Sequence, residues 1–252
     1  MSVIEPGPRR LPLDGAVNFR DLGGYRTDDG RRLRWGRVFR SDSLAELSDR
    51  DCAQLQALGL RTVCDLRGEP ERVQKPNRTL GANVRTQAIG FMPQGGDALL
   101  AGARDGRIGP ADIEQRVQDI YRDFVVEQSA SFARLLQLIA EADALPLVYH
   151  CTSGRDRTGF ATAMLLAALG VPGATIEADY HLSNDYRRDL TFQVGGTVAP
   201  EVMAALTQAH PSYLAAAFAA IDQLHGSTER YLREVLGLTD TLRARLEHLL
   251  LA

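Results

Sequence analysis

Cysteine is scarce in this chain of 252 residues: three occur, an odd number, with no Cys-x-x-Cys pair. That excludes a disulfide framework and a structural zinc knuckle, and it suits a reducing cytosol. Lysine is scarcer still. Lys75 stands alone, and arginine carries the rest of the positive charge. Tryptophan occurs once, as Trp35, followed by Gly36. No run of about 18 or more uncharged apolar residues is present, so no membrane span is expected. Residues 1–8 lack a basic stretch followed by an apolar one, the mark of a secretory signal, and the expected location is the cytoplasm. Charge of one sign is lacking too. A net charge of −3 and a pI near 6.0 give no general attraction to nucleic acid, so any anion must be held by a local site.

With 44% apolar and 24% charged residues, the composition is that of an ordinary globular protein with a real core. No internal repeat or linker divides it, and the expectation is one domain over 1–252, with residues 1–12 an extended, Pro/Gly/Arg-rich arm. Ser48 reads as the N-cap of a helix through Leu58, with Gly59 beyond its end. Residues 37–41 read as a short strand, and residues 59–66 as a loop leading into a buried one. The glycine- and proline-rich stretch from Pro76 to Gly106 reads as loop. Residues 111–143 carry apolar positions at helical spacing, Pro146 to His150 is a strand, and Phe160 to Leu169 is an apolar helix. The last third reads as helices over 174–184, 200–209, 211–224, 227–236 and 239–251. This alternation predicts an α/β fold with a central, mainly parallel sheet flanked by helices and a helical C-terminal third.

The chemistry concentrates where the strand at 146–150 meets the helix from Phe160. Ligands of open α/β sheets sit beyond the carboxyl ends of strands, where the next helix presents its free N–H groups. Thr152, Ser153 and Gly154 are small enough to let backbone amides close around an anion. Arg157 can fork two N–H donors onto tetrahedral oxygens, and Arg155 adds a second cation. A thiol at the head of such a helix, ringed by amides and guanidinium groups, is held as thiolate at neutral pH. Cys151 is therefore read as a nucleophile aimed at phosphorus, and Cys52 and Cys64 as inert core residues. Gly154 and Gly159 have the glycine spacing of a nucleotide-triphosphate loop. Phe160 and Ala161 follow them where Lys-Ser/Thr is required, so that reading is weak.

His150-Cys151-x-x-Gly154-x-x-Arg157-Thr158-Gly159 resembles the Cys-x5-Arg signature of the protein tyrosine phosphatase superfamily. The narrower resemblance is to bacterial atypical tyrosine/lipid phosphatases, whose loop reads His-Cys-x-x-Gly-Lys-Asp-Arg-Thr-Gly. Asn18-Phe19-Arg20-Asp21-Leu22-Gly23-Gly24-Tyr25, Arg40-Ser41, Asp65-Leu66-Arg67 and Asp179-Tyr180-x-Leu182-Ser183-Asn184 match further landmarks in order. The departure is Arg155, where the family has lysine. In a chain so poor in lysine it is expected to keep the positive role.

The resemblance implies hydrolysis of phosphotyrosine, with phosphoserine/threonine and phosphoinositides as further substrates, through a phosphocysteine intermediate. Its partners are a phosphorylated protein or phosphoinositide, and inorganic phosphate is the product. No metal or organic cofactor is implied. Thr152 to Arg157 would hold the phosphate. Trp35-Gly36 rules out the mobile Trp-Pro-Asp acid loop, which leaves Asp156 as general acid and Asp65 as the alternative. His150 and Thr158 are supporting residues: His150 pointing to the other strand face or tuning the thiol, Thr158 bonding the sulfur or simply opening the helix. Asn18, Arg20 and Asp21 read as a structural turn abutting the pocket. The resemblance also places a helical lid over the site, here at 197–225. Two other functions fit the same loop: a rhodanese-like sulfurtransferase, and a non-catalytic phosphate-binding module.

Overall fold

The computed structural model describes residues 9–188, 191–194 and 198–252. Its sheet has five strands: β1 (Arg20–Asp21), β2 (Val38–Ser41), β3 (Thr62–Arg67), β4 (Arg85–Phe91) and β5 (Leu147–His150), in the order β1-β2-β5-β3-β4. Only β1 runs antiparallel to its neighbour. β5 is thus flanked on both sides by parallel strands, which is why all its residues are buried. Of the expected arm, residues 1–8 lie outside the described residues. Arg9 to Leu11 run extended beside β1, with Asp21 N donating to Arg9 O and Leu11 N to Phe19 O, each at 3.0 Å.

The helices before β5 are α1 (Asp49–Ala57), α2 (Glu69–Gln74), α3 (Gly96–Arg104), α4 (Pro110–Val126) and α5 (Ser129–Ile139). After it come α6 (Asp156–Ala168), α7 (Gly173–His181), α8 (Thr191–Val194), α9 (Pro200–Thr207), α10 (Pro211–His225), α11 (Thr228–Glu234) and α12 (Asp240–Leu250). Ser48 caps α1 as its sequence suggests. Its Oγ accepts from Asp51 N at 3.1 Å, and Asp51 Oδ2 accepts from Ser48 N at 3.0 Å.

The period of two along β3 and β5 sorts side chains to two faces. Val63 and Val148 join Phe19, Phe39 and Leu55 beneath α1. Cys64, Leu147 and Tyr149 join the larger core with Phe124, Phe132 and Phe160 from α4, α5 and α6.

One stretch departs from the sequence reading. The stretch read as loop contains β4 and α3. β4 is an edge strand whose residues are exposed or half-buried, so it lacks an apolar signature. Its Gly90 lies against β3 so closely that a Cβ there would meet Leu66 C at 1.9 Å. The glycine that suggested a loop is what lets this strand pack. The region 111–143 is two helices, broken between Val126 and Ser129, because one apolar stripe turns a corner around Phe124 and Phe132.

Candidate active site

β5 delivers its last residue, His150, to a tight loop, Cys151 to Arg155, that opens α6. Gly154 sits at φ +67° hard against the end of β2. A Cβ there would lie 2.7 Å from Asp42 N and Ser41 O, so no other residue fits without moving that strand. Three successive carbonyls of the loop are held from outside. Ser43 N donates to Thr152 O at 3.0 Å, Asn18 Nδ2 to Ser153 O at 3.3 Å, and Arg40 Nη2 to Gly154 O at 2.7 Å. A trans peptide points its N–H opposite to its carbonyl. Drawing three successive carbonyls outward therefore turns the N–H groups of Ser153, Gly154 and Arg155 inward, and none has a partner among the described residues. That is an anion cradle, with Cys151, 1% exposed, at its root.

The residues that pull the loop outward form a buried ion network. Arg20 and Arg40 both pair with Asp179, to which Tyr25 OH also donates at 2.8 Å; Arg20 bonds Asn18 as well. Burial raises Asp179, but the two guanidinium groups outweigh it and hold the carboxyl well below the usual range. Asp179→Asn leaves both buried arginines without a counter-charge, and the expected cost is roughly 3–5 kcal/mol. Thermal unfolding checks this as a clear fall in Tm, whereas an unchanged Tm would mean that the network contributes nothing.

Arg157 is seated from the other side by α2. Its Nη1 donates to Glu71 Oε2 at 2.6 Å and to Phe91 O at 2.9 Å; Nη2 donates to Glu71 Oε1 at 2.8 Å. Nε–H and one Nη2–H remain for a ligand, apart from a long 3.5 Å approach of Nη2 to Thr152 Oγ1. Burial lowers Arg157, but its bond to Glu71 and the charges of Cys151 and Glu71 raise it overall, so it stays a cation. Glu71 also accepts from Thr152 Oγ1 at 2.5 Å and from Gly68 N at 2.9 Å, and lies below the usual carboxylate range despite burial. Glu71→Gln keeps the size but loses the charge that aims the fork. We expect kcat/KM to fall about 10- to 100-fold; an unaltered value would detach Glu71 from the site.

The other sequence-derived residues divide in two. Asp156 lines the cleft, and both its oxygens pair with Arg155, Oδ1 to Nε at 2.8 Å and Oδ2 to Nη2 at 2.9 Å. Arg155 Nη1 reaches away to Leu206 O at 2.6 Å and Gln208 O at 3.2 Å, at the end of α9. Asp65 does not reach the cleft. It holds Arg67 bidentately, accepts from Asn77 Nδ2 at 3.0 Å, and is itself buried. Burial raises its pKa, but His150 and Arg67 bring it below the ordinary value.

His150 is wholly buried. Its Nδ1 lies 3.0 Å from Cys151 O and its Nε2 2.9 Å from Asn77 Nδ2, which assigns the proton to Nδ1 and makes Nε2 the acceptor. Burial pushes it down, so it is neutral at pH 7. The Thr158 hydroxyl is buried and bonds nothing among the described residues. Sequence reasoning missed Glu71 and Tyr121, whose hydroxyl donates to Asp156 Oδ1 at 3.1 Å. For Glu71 a signal existed: Glu69-Pro70-Glu71 after Gly68 marks a helix start.

The cleft has a volume of about 430 Å³. Thr152, Ser153 and Arg157 form one end, and Met92, Leu99, Val117, Ile120 and Leu206 give it an apolar wall. A wider depression of about 660 Å³, around Arg61, Asn83 and Asp143, lies at the other end of the sheet and holds none of these groups. Among the described residues, no cluster of three or more His, Cys, Asp or Glu side chains is placed to hold a metal. No helix there is long and apolar enough to cross a membrane.

A parallel sheet whose central strand leads into a Cys-x5-Arg anion cradle defines a class, the cysteine-dependent phosphatases. The chain belongs to the tyrosine phosphatase family, whose model matches residues 11–252. It is 37% identical over 239 residues to a Cupriavidus necator protein provisionally named a tyrosine-protein phosphatase, covering 91% of this chain and 85% of that one. It is 32% identical over 282 residues to the triple specificity protein phosphatase PtpB of Mycobacterium tuberculosis, covering 96% and 99%. Among solved structures, P. aeruginosa TpbA is a remote likeness: 18% identity, 73% of this chain, 96% of that one, TM-score 0.36.

Proposed function

We propose that this enzyme hydrolyses phosphate monoesters, phosphotyrosine foremost, through a phosphocysteine on Cys151. The observation that carries the reading is the inward turn of three unpartnered amides, Ser153 to Arg155, above the thiol and beside the free edge of Arg157. The amides and that edge take the equatorial phosphoryl oxygens, and the cysteine sulfur attacks phosphorus in line. Asp156 gives its proton to the departing phenolate. Water then displaces phosphate from the sulfur, and Asp156 takes the proton back. The loop supplies the positive charge itself, and a chelator is expected to leave the rate unchanged.

The apolar wall supports the choice of substrate. A phenyl ring attached to the bound phosphate buries against Leu99, Ile120 and Leu206. A serine side chain is too short to do so, and an inositol ring presents hydroxyls to hydrocarbon. Burying part of an aromatic ring is worth ~1–2 kcal/mol, or roughly tenfold in kcat/KM. Of the expected lid at 197–225, α9 contributes Leu206 to this wall and no residue of α10 lines the cleft; residue 197, where that lid begins, lies outside the described residues. A rate panel of phosphotyrosine peptide, phosphoserine/threonine peptides and phosphoinositides, with and without chelator, tests the reading. Phosphotyrosine should lead by about tenfold. Faster turnover of a phosphoinositide would overturn the substrate assignment, and thiosulfate turnover in place of phosphatase activity would overturn the reaction.

A further inference from the structure

A general acid must present one chosen oxygen to the leaving group, and the Arg155 fork that pairs with both oxygens of Asp156 would hold the carboxylate equally well after a half-turn that exchanges them. What limits that rotation lies beneath it. Tyr121, from the middle of α4, is wholly buried and donates its hydroxyl to Asp156 Oδ1 at 3.1 Å. The same hydroxyl is 2.8 Å from that of Tyr180 on α7. A phenol has one proton to give. With Tyr121 giving its own to Asp156, the contact with Tyr180 is filled by the Tyr180 proton. Donation therefore runs one way, from Tyr180 to Tyr121 to Asp156. Burial pushes both phenols up, Tyr121 well above its ordinary value, so both remain donors throughout the working range.

The rings have little freedom. Tyr121 packs against Phe124, Tyr180 and Tyr213 with centroids 5.2, 6.3 and 6.0 Å apart. Tyr180 approaches α6 at Gly159, where a Cβ would stand 2.9 Å from its ring. This accounts for the last glycine of the loop motif: it admits the tyrosine that supports Tyr121. Oδ1 is thereby committed to Tyr121 and to Arg155 Nε, while Oδ2 is held by Arg155 Nη2 alone. When Arg155 releases Oδ2, Nη1 still anchors it to Leu206 O and Gln208 O. Oδ2 is then the oxygen left to carry a proton.

We propose that Tyr121, backed by Tyr180, is a positioning residue that fixes Oδ1 of Asp156 and so aims Oδ2 at the leaving-group oxygen. The proposal rests on Asp156 being the acid. Its test compares phenyl phosphate, whose phenolate needs a proton, with 2,4-dinitrophenyl phosphate, whose phenolate leaves without one. Tyr121→Phe removes one hydroxyl and keeps the ring. It should lower kcat/KM for phenyl phosphate about tenfold, leave the dinitrophenyl ester within about twofold, and leave inhibition by inorganic phosphate unchanged. Tyr180→Phe should act in the same direction and more weakly. A merely structural role would slow both esters alike or weaken phosphate binding, and either result overturns the proposal, as does no loss on phenyl phosphate. Asp156→Asn is measured alongside. If it spares phenyl phosphate, the acid assignment fails and the proposal with it; if it slows phenyl phosphate selectively while Tyr121→Phe does not, only the proposal fails.

Discussion

Cys151→Ser is expected to lower turnover of an aryl phosphate by roughly four orders of magnitude or more while leaving its affinity within about threefold. A serine hydroxyl is a poor nucleophile without a base, and none stands ready. His150, the only imidazole next to it in the chain, has its Nδ1 proton on the Cys151 carbonyl and its Nε2 on Asn77. It cannot take a proton from residue 151 without abandoning both contacts. Affinity should persist, because in the proposed mechanism the amides of Ser153 to Arg155 and the free edge of Arg157 bind the phosphate whichever atom lies below. Steady-state rates on the variant, with equilibrium binding of a phosphotyrosine peptide, check both halves. Persistent turnover would remove Cys151 from the chemistry, and lost binding would mean that the sulfur holds the loop open.

Arg157→Ala is expected to cost about 10³-fold or more in kcat/KM, through kcat as well as KM. Two effects add. The grip on the equatorial oxygens disappears, and Glu71, which pairs with Arg157 through both its oxygens, becomes an uncompensated carboxylate beside the phosphate. The second effect gives the prediction its sharper form. Adding Glu71→Gln to Arg157→Ala should recover part of the loss, so the two changes combine to less than their product. Arg157→Lys should not restore the rate, since an ammonium cannot hold Glu71 bidentately and still present a flat pair of donors. Near-normal kinetics in Arg157→Ala would contradict the assignment; strictly multiplicative losses would contradict the role given to Glu71.

What the sequence reveals here is local and what it hides is tertiary. The phosphate loop spans nine consecutive residues, and Cys151, Gly154 and Arg157 are legible because a strand–loop–helix imposes their spacing. The Asn18–Arg20, Arg40 and Asp179 motifs are legible as landmarks, but not their task of drawing loop carbonyls outward. That task depends on β1, β2 and α7 meeting behind the loop. Glu71 and Tyr121 are 86 and 35 residues from the groups they bond; Glu69-Pro70-Glu71 announces a helix start, but nothing near either residue announces its distant partner.

Arg155 illustrates the limit from the other side. Adjacency to Gly154 suggests a phosphate ligand, yet its donors are engaged by Asp156 and by the end of α9, contacts that a lysine could not make together. β4 escaped because an edge strand alternates poorly, and its Gly90 reads as a breaker until β3 is seen against it.

The central claim is a covalent bond between phosphorus and one sulfur. It is tested by acid-quenching the enzyme during turnover of a phosphotyrosine peptide and locating the phosphoryl group by peptide mass analysis. One phosphoryl group on the peptide containing Cys151, absent from Cys151→Ser, is the result expected here. A quenched enzyme that turns substrate over but carries no phosphoryl group, or carries it on another residue, would contradict the account.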